Sequence, residues 1–203
     1  MKMRNIAWVV GAVALMIGFT GCQTAHHVDT RYRNTAATAL ATAAAPKPVC
    51  FQFEYQTNGS PNSQNTAALR DTVYKTVMGS GCFSEVSLSP VADGANLRVN
   101  INNQIEGKAG AFFKGFFSGL TFGLLGYNVQ DKFLCTMEYQ SASGMPKITQ
   151  ATQGGVWASG GLIKLPLSNA EPMASTDAAI KQMAQWAVSD TLNKVAQDPN
   201  FNK

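Results

Sequence analysis

The 203-residue sequence has few charged side chains and very few histidines. Charged residues make up 14% of the chain, against about 25% in a typical soluble domain. The only histidines are the neighbours His26 and His27, so an enzyme mechanism that needs a histidine base has no candidate in the main part of the chain. Neither a GxxxxGKS/T loop nor a GxGxxG turn between a strand and a helix is present, which excludes the common nucleotide-binding motifs. At this length we expect one domain with accessory segments, not a long multidomain enzyme.

Residues 1–21 have the organisation of a secretory signal peptide. Lys2 and Arg4 precede an apolar run from Ile6 to Phe19, which is shorter than the ~20 residues that a membrane-spanning helix needs. Small residues follow the run, as they do before a cleavage site. An ordinary cleaved signal peptide and an uncleaved membrane anchor both fit this organisation.

Phe19-Thr20-Gly21-Cys22 resembles the lipobox of bacterial lipoproteins, in which one apolar and two small residues precede an invariant cysteine. The resemblance implies that Cys22 is diacylated on sulfur, becomes the new amino terminus after cleavage by signal peptidase II, and is then acylated there with a palmitate-type chain. Gln23 follows in place of the aspartate that favours inner-membrane retention in this class. The implied location is therefore the outer membrane, with the chain facing the periplasm, and two or more acyl chains anchor a protein stably.

Cleavage changes the charge of the chain. The full sequence has 16 Lys and Arg against 12 Asp and Glu, or +4. Loss of Lys2 and Arg4 leaves 14 bases against 12 acids, or +2. No remaining stretch clusters five Lys or Arg residues, so the sequence predicts no nucleic-acid partner.

Residues 22–48 are predicted to be the lipidated cysteine and a flexible tether, because they are rich in Ala and Thr and poor in large apolar groups. A random coil of this length spans about 28 Å, which would hold the domain away from the membrane. His26 and His27 offer poor geometry for a metal ion without a nearby cysteine. We therefore expect no metal site and no cofactor other than the covalent lipid.

Residues 49–203 are predicted to form one α+β domain. Alternation and helical spacing predict strands at 49–55, 83–89, 97–105, 127–139 and 147–158, and helices from Ser63 or Asn65 to Met78 and from Thr176 to Gln197. The order β-α-β-β-insert-β-β-α predicts a single mixed or antiparallel sheet of about five strands with two helices on one face. This order resembles the small periplasmic α+β domains of envelope lipoproteins, including the TolB amino-terminal type.

Three cysteines remain after lipidation of Cys22, and a periplasmic protein can form disulfides. In a right-handed βαβ unit, the start of the first strand and the residue after the helix lie at the same end. This topology predicts a disulfide between Cys50 and Cys82, with two buried thiols as the alternative. Cys135 lies on an apolar strand face and is predicted to pack in the core.

Residues 107–126, here called the insert, read GKAGAFFKGFFSGLTFGLLG. Small residues recur every fourth position from Ala111 to Gly123, beside a ridge of large apolar residues, which is typical of membrane-associated contacts. Burial under the sheet, insertion into the inner leaflet or a partner protein, and a full membrane span are the alternatives. The residues predicted to contact a partner or the membrane are Phe112, Phe113, Gly115, Phe116, Phe117, Gly119, Leu120, Gly123 and Leu124.

Three functions fit this pattern. The favoured one is a non-enzymatic, outer-membrane-anchored lipoprotein that serves as an envelope assembly, scaffold or partner-binding module, with an envelope protein or a second copy of the chain bound through the insert. The second is a carrier of lipid or another apolar ligand in a pocket lined by Phe112, Phe116 and Phe133. The third is a hydrolase that uses a carboxylate pair. The acids that could supply such a pair are scattered singly, as Glu54, Asp71, Glu85, Asp131 and Glu138.

Overall fold

The computed structural model describes residues 24–33, 46–104, 127–143, 145–160 and 166–203. Within these ranges the strands are β1 (Ala25–Asp29), β2 (Lys47–Thr57), β3 (Ser60–Pro61), β4 (Phe83–Ser87), β5 (Ala95–Gln104), β6 (Tyr127–Gln140), β7 (Ile148–Gly160) and β8 (Ala170–Met173). The helices are α1 (Ser63–Met78), α2 (Thr176–Ala196) and a short 3-10 helix, Thr30–Tyr32.

The strands form one mixed sheet in the order β3-β2-β5-β6-β7-β1-β8, with β4 paired to the beginning of β2. β2 runs parallel to β4 and β5, and the other neighbouring strands pair antiparallel. The predicted α+β class with two helices on one sheet is confirmed, but the described residues form eight strands and not five. The additional strands β1, β3 and β8 have two to five residues, too few for a recognisable period-two pattern.

One face of the sheet packs against both helices and forms the core. In β5, the side chains of Leu97, Val99 and Ile101 are fully buried, and those between them point to the other face. Fully burying an aliphatic side chain contributes about 1.5–3 kcal/mol. The same alternation continues in the neighbouring strands, whose largest fully buried side chains are Phe51, Tyr55, Phe133, Met137 and Tyr139.

The helices cover this face as their spacing predicts. α1 buries Leu69, Val73 and Val77. It begins after Asn62, whose Oδ1 accepts a hydrogen bond from the backbone nitrogen of Asn65 at 3.0 Å; the N-cap is thus one residue before the first predicted candidate. α2 buries Met183, Ala184, Ala187, Val188, Leu192 and Val195 of its predicted stripe, and Ile180 is partly buried beside them.

The predicted tether of residues 22–48 is wrong for its described part. β1 lies between β7 and β8 and pairs with both of them, and Val28 in β1 is fully buried in the core. The domain therefore begins at least as early as Ala25, and not at Val49. Backbone hydrogen bonds on both edges and the burial of one valine hold β1 in the sheet, although its composition is that of a linker.

Candidate functional site

The contact residues predicted from the sequence lie outside the described residues. These are Cys22 and the nine predicted contact residues of the insert, Phe112, Phe113, Gly115, Phe116, Phe117, Gly119, Leu120, Gly123 and Leu124. The structure shows where the chain enters the domain before β1 and where it returns at β6. These two positions define a candidate contact region that the sequence does not reveal.

Three strand ends meet at one end of the sheet. Ala25, the first residue of β1, pairs with Ser159 of β7, and Ser159 pairs on its other side with Asn128 of β6. Gly160, the last residue of β7, pairs with Tyr127. The surface formed by Ala25, Asn128, Ser159 and Gly160 is called the β1 end below. The predicted lipid anchor and the carboxyl-terminal side of the insert both join the domain here.

A buried carboxylate holds the chain immediately after β1. Asp29 is fully buried, and Arg31 approaches it through Nη2 at 2.6 Å from Oδ2 and through Nε at 3.0 Å from Oδ1. The backbone nitrogen of Arg31 donates to Oδ1 at 3.0 Å, which begins the 3-10 helix. Asp29 Oδ2 also accepts hydrogen bonds from Nε1 of Trp157 at 3.2 Å and from Nε2 of Gln130. The cluster therefore connects β1 to β6 and β7 through polar contacts that no local pattern predicts.

The hydrogen bonds from Arg31, together with its charge, decide the protonation state of this carboxylate. Burial alone raises the pKa of Asp29, but its hydrogen bonds to Arg31 and Trp157 and the positive charge of Arg31 outweigh burial, so that the pKa is lowered overall. Asp29 is thus ionised at neutral pH. The close packing around Asp29 also depends on glycine at position 155. A Cβ on Gly155 would lie 3.0 Å from Cβ of Asp29 and 3.1 Å from Cε2 of Tyr32.

The two histidines belong to this folded region and not to a solvated tether. His26 faces α2, where its Nδ1 lies 3.0 Å from Oγ1 of Thr176. His27 points to the opposite face, because neighbouring residues of a strand alternate, and burial together with the charge of His26 lowers its pKa. The two rings therefore cannot converge on one metal ion. No group of three His, Cys, Asp or Glu side chains suited to a metal occurs within the described ranges.

The structure contradicts the predicted disulfide between Cys50 and Cys82, which are both buried thiols. Cys50 pairs with Ser87, whereas Phe83, the residue after Cys82, pairs with Lys47. Cys82 is therefore displaced by about 13 Å along the paired strands from the position opposite Cys50, at about 3.3 Å per residue. A disulfide requires Cα atoms within about 7 Å. The helix returns the chain to the end of β2 at which Cys50 lies, as predicted. However, the register between β2 and β4 places Cys82 too far from Cys50 for a disulfide.

We expect alkylation in denaturant without reductant to label three thiols of the mature chain, Cys50, Cys82 and Cys135. Mass spectrometry counts the labels, and a disulfide between Cys50 and Cys82 would leave one. Before unfolding, we expect little labelling, because all three thiols are buried. Burial also raises the pKa of Cys82, and that of Cys135 to about 12, so these two stay in the unreactive neutral form at pH 8. Rapid labelling of three thiols in the folded protein would contradict this arrangement.

The other face of the sheet is polar, and no described helix covers it. An open groove of about 480 Å³ crosses three strands there. Its lining residues are Gln52, Phe53, Glu54, Gln56, Arg98, Asn100, Thr136 and Glu138. This is not the apolar pocket that a lipid carrier requires, and Phe133 is packed in the core with 1% of its surface exposed. Phe112 and Phe116 lie outside the described residues.

The scattered acids occupy different environments. Glu54 accepts a hydrogen bond from Asn100 at 3.4 Å. Glu138 lies on the same face and forms an ion pair with Lys147 at 3.1 Å. Of the remaining three, Asp71 pairs with Lys75 on the surface of α1, Glu85 is exposed on β4, and Asp131 is half-buried, with a pKa raised by burial. These contacts show Glu54 and Glu138 in separate polar interactions and do not assign either of them to acid or base catalysis.

No known protein family matches the chain, and no curated protein matches it. Among solved structures, it is similar to the PelC dodecamer from Paraburkholderia phytofirmans, with 10% identity over 74% of this chain and 89% of that chain and a TM-score of 0.37. A candidate lipoprotein from Caulobacter crescentus CB15 is 13% identical over 70% of this chain and 84% of that one, with a TM-score of 0.28. These similarities carry no information on function.

None of the described helices is long and apolar enough to cross a bilayer.

Proposed function

We propose that this protein is a non-enzymatic lipoprotein of the outer membrane, acylated on Cys22, with its α+β domain facing the periplasm. It acts as an assembly, scaffold or partner-binding module of the cell envelope. The partner, an envelope protein or a second copy of the chain, binds through the insert at residues 107–126. The covalent lipid is the only non-protein group that this function needs.

The observation that carries the proposal is the connection between β5 and β6. These strands are antiparallel neighbours, paired from Asn96 with Gln140 to Gln104 with Lys132. A hairpin between such strands needs as few as two residues. Here residues 105–126 separate them, and connections longer than about 12–15 residues are uncommon unless they are functional or disordered. The sheet therefore does not need the insert, and its Phe and Leu content supports a role in contact.

The position of the insert's carboxyl-terminal side gives further support. β6 begins directly after it, and Asn128 lies in the same row of the sheet as Ala25. The predicted anchor at Cys22 and this side of the insert therefore join the domain at the same end. A partner that binds the insert close to this end is within reach of the membrane surface, as expected for an envelope assembly.

We expect replacement of residues 107–126 by a Gly-Ser linker of about eight residues to abolish partner binding and leave the domain folded, because β5 and β6 can be joined without them. Crosslinking followed by affinity purification from native membranes measures the partner, and analytical ultracentrifugation measures self-association. A Gly-Ser segment of the same length as the insert is the matched control for chain length and should fail in the same way. A variant that folds and retains every crosslinked partner and its oligomeric state would show that the insert is only structural.

A further inference from the structure

We propose that the β1 end of the sheet rests on the phospholipid surface, so that the strands stand upright on the membrane and the domain does not hang from a tether. This inference rests on the proposed lipidation of Cys22. Its basis is the pairing of β1, which places the first described residues of the chain inside the sheet. The occupant of the β1 end is thus the lipid headgroup layer of the membrane to which the chain is attached.

The distance between anchor and sheet is short. Ala25 pairs with Ser159 and is only three residues after Cys22. A fully extended chain spans at most about 3.6 Å per residue, so the Cα atoms of these two residues are no more than about 11 Å apart. The headgroup region of one leaflet is itself roughly 5–8 Å thick. The tether predicted from composition would have allowed about 28 Å.

Contacts farther along the chain hold β1 in the domain. At the end of β1, Asp29 Oδ2 forms a salt bridge with Arg31 Nη2 at 2.6 Å. At its beginning, Nδ1 of His26 lies 3.0 Å from Oγ1 of Thr176 at the start of α2. β1 pairs with β7 on one side and with β8 on the other. Its amino terminus is therefore coupled to the whole sheet and cannot move independently of it. The membrane anchor therefore constrains the orientation of the domain as well as its distance.

The chemistry of the β1 end fits a headgroup layer. The outermost row is Tyr127 and Gly160, the next is Asn128, Ser159 and Ala25, and the third is Val129, Ala158, His26 and Met173. Within these three described rows there is no Asp, Glu, Lys or Arg. Small neutral and polar groups can enter an interface without the cost of desolvating a charge. The other end of the sheet, about 36 Å away along β7, carries the exposed pair of Lys147 and Glu138.

The test compares fluorophores at the two ends of the sheet. Ser159→Cys and Ala142→Cys place a thiol at the β1 end and at the β6–β7 turn, respectively. The acylated protein, labelled at either position, is reconstituted into phosphatidylcholine vesicles that contain nitroxide-headgroup lipids. We expect quenching several-fold stronger at position 159 than at 142. Equal quenching, or stronger quenching at 142, would overturn the upright orientation.

Metabolic labelling with palmitate separates the two proposals. A protein that takes up palmitate but is quenched equally at both ends retains the proposed function and loses the upright orientation. A protein that takes up no palmitate on Cys22 overturns both.

Discussion

Cys22→Ala is expected to remove the protein from the outer membrane. Each buried CH₂ of an acyl chain contributes about 0.8 kcal/mol, and two or more chains together give stable attachment. Without the sulfur, neither the diacyl group nor the new amino terminus can form. We expect the change in location to be nearly complete, because the acyl chains supply the attachment to the outer membrane. Fractionation with immunoblotting measures it, and palmitate incorporation should disappear in parallel.

Gln23→Asp is the matched control for this change. It keeps Cys22 and the acyl chains but introduces the residue that favours inner-membrane retention in bacterial lipoproteins. We expect this variant to remain in the membrane fraction and to shift from the outer to the inner membrane in a density gradient. A Cys22→Ala protein that stays in the outer-membrane fraction would contradict attachment through the lipid on this cysteine.

Arg31→Met is expected to lower the free energy of unfolding by about 2 kcal/mol at neutral pH, because hydrogen bonds to a charged group are worth about 1.5–3 kcal/mol. Asp29 is fully buried and relies on Arg31 for its ion pair. Trp157 and Gln130 still donate to the carboxylate in the variant, so the loss is smaller than that for a completely unpaired buried charge. Urea denaturation at pH 7 measures the change.

Arg33→Met is the matched control. Arg33 forms an ion pair with Glu171 at 3.4 Å, with both side chains about half exposed, and its guanidinium lies 5.2 Å from the ring centre of Trp186. Exposed pairs and cation–π contacts of this kind each contribute about 1 kcal/mol or less. Equal destabilisation by the two substitutions would show that the buried cluster is not what holds β1.

The pH dependence of Arg31→Met provides a further check. In the wild-type protein the pKa of Asp29 is lowered by its partners, so its contribution to stability is present above the ordinary aspartate pKa of about 4 and is lost as the pH falls through the lower folded-state value. Without Arg31, fewer contacts oppose the effect of burial, which raises the pKa of Asp29 and disfavours its ionised form. We therefore expect the difference in stability between wild type and variant to be largest near neutral pH and to shrink below about pH 4. A difference that is constant with pH would contradict this origin.

Much of the fold can be predicted from the sequence because its central elements repeat over several turns or residue pairs. Leu97, Val99 and Ile101 alternate along β5, and Leu69, Val73 and Val77 recur along one side of α1. Each pattern specifies the element and its buried face from local information. Short elements lack such repetition, so β3 and β8 were not predicted. The N-cap of α1 is Asn62, one residue before the first predicted candidate, Ser63.

The candidate site divides in the same way. The lipobox-like residues before Cys22 and the composition of the insert are local features, and they predict an anchor and a contact segment. The relation between the two depends on Ala25 pairing with Ser159, which is 134 residues away in the chain. Likewise, Asp29 and Trp157 are 128 residues apart. The sequence contains no local sign of either contact.

By itself, the sequence determined the α+β class, the buried faces of the long elements and the two segments expected to meet membrane or partner, since all of these follow from local periodicity and composition. Only the tertiary structure decided that the supposed tether contains β1, that Cys50 and Cys82 are out of register, and that the starts of β1 and β6 lie at the same end of the sheet. The physical reason is that a short strand or a disulfide is decided by the register between distant segments, which depends on how the whole sheet assembles.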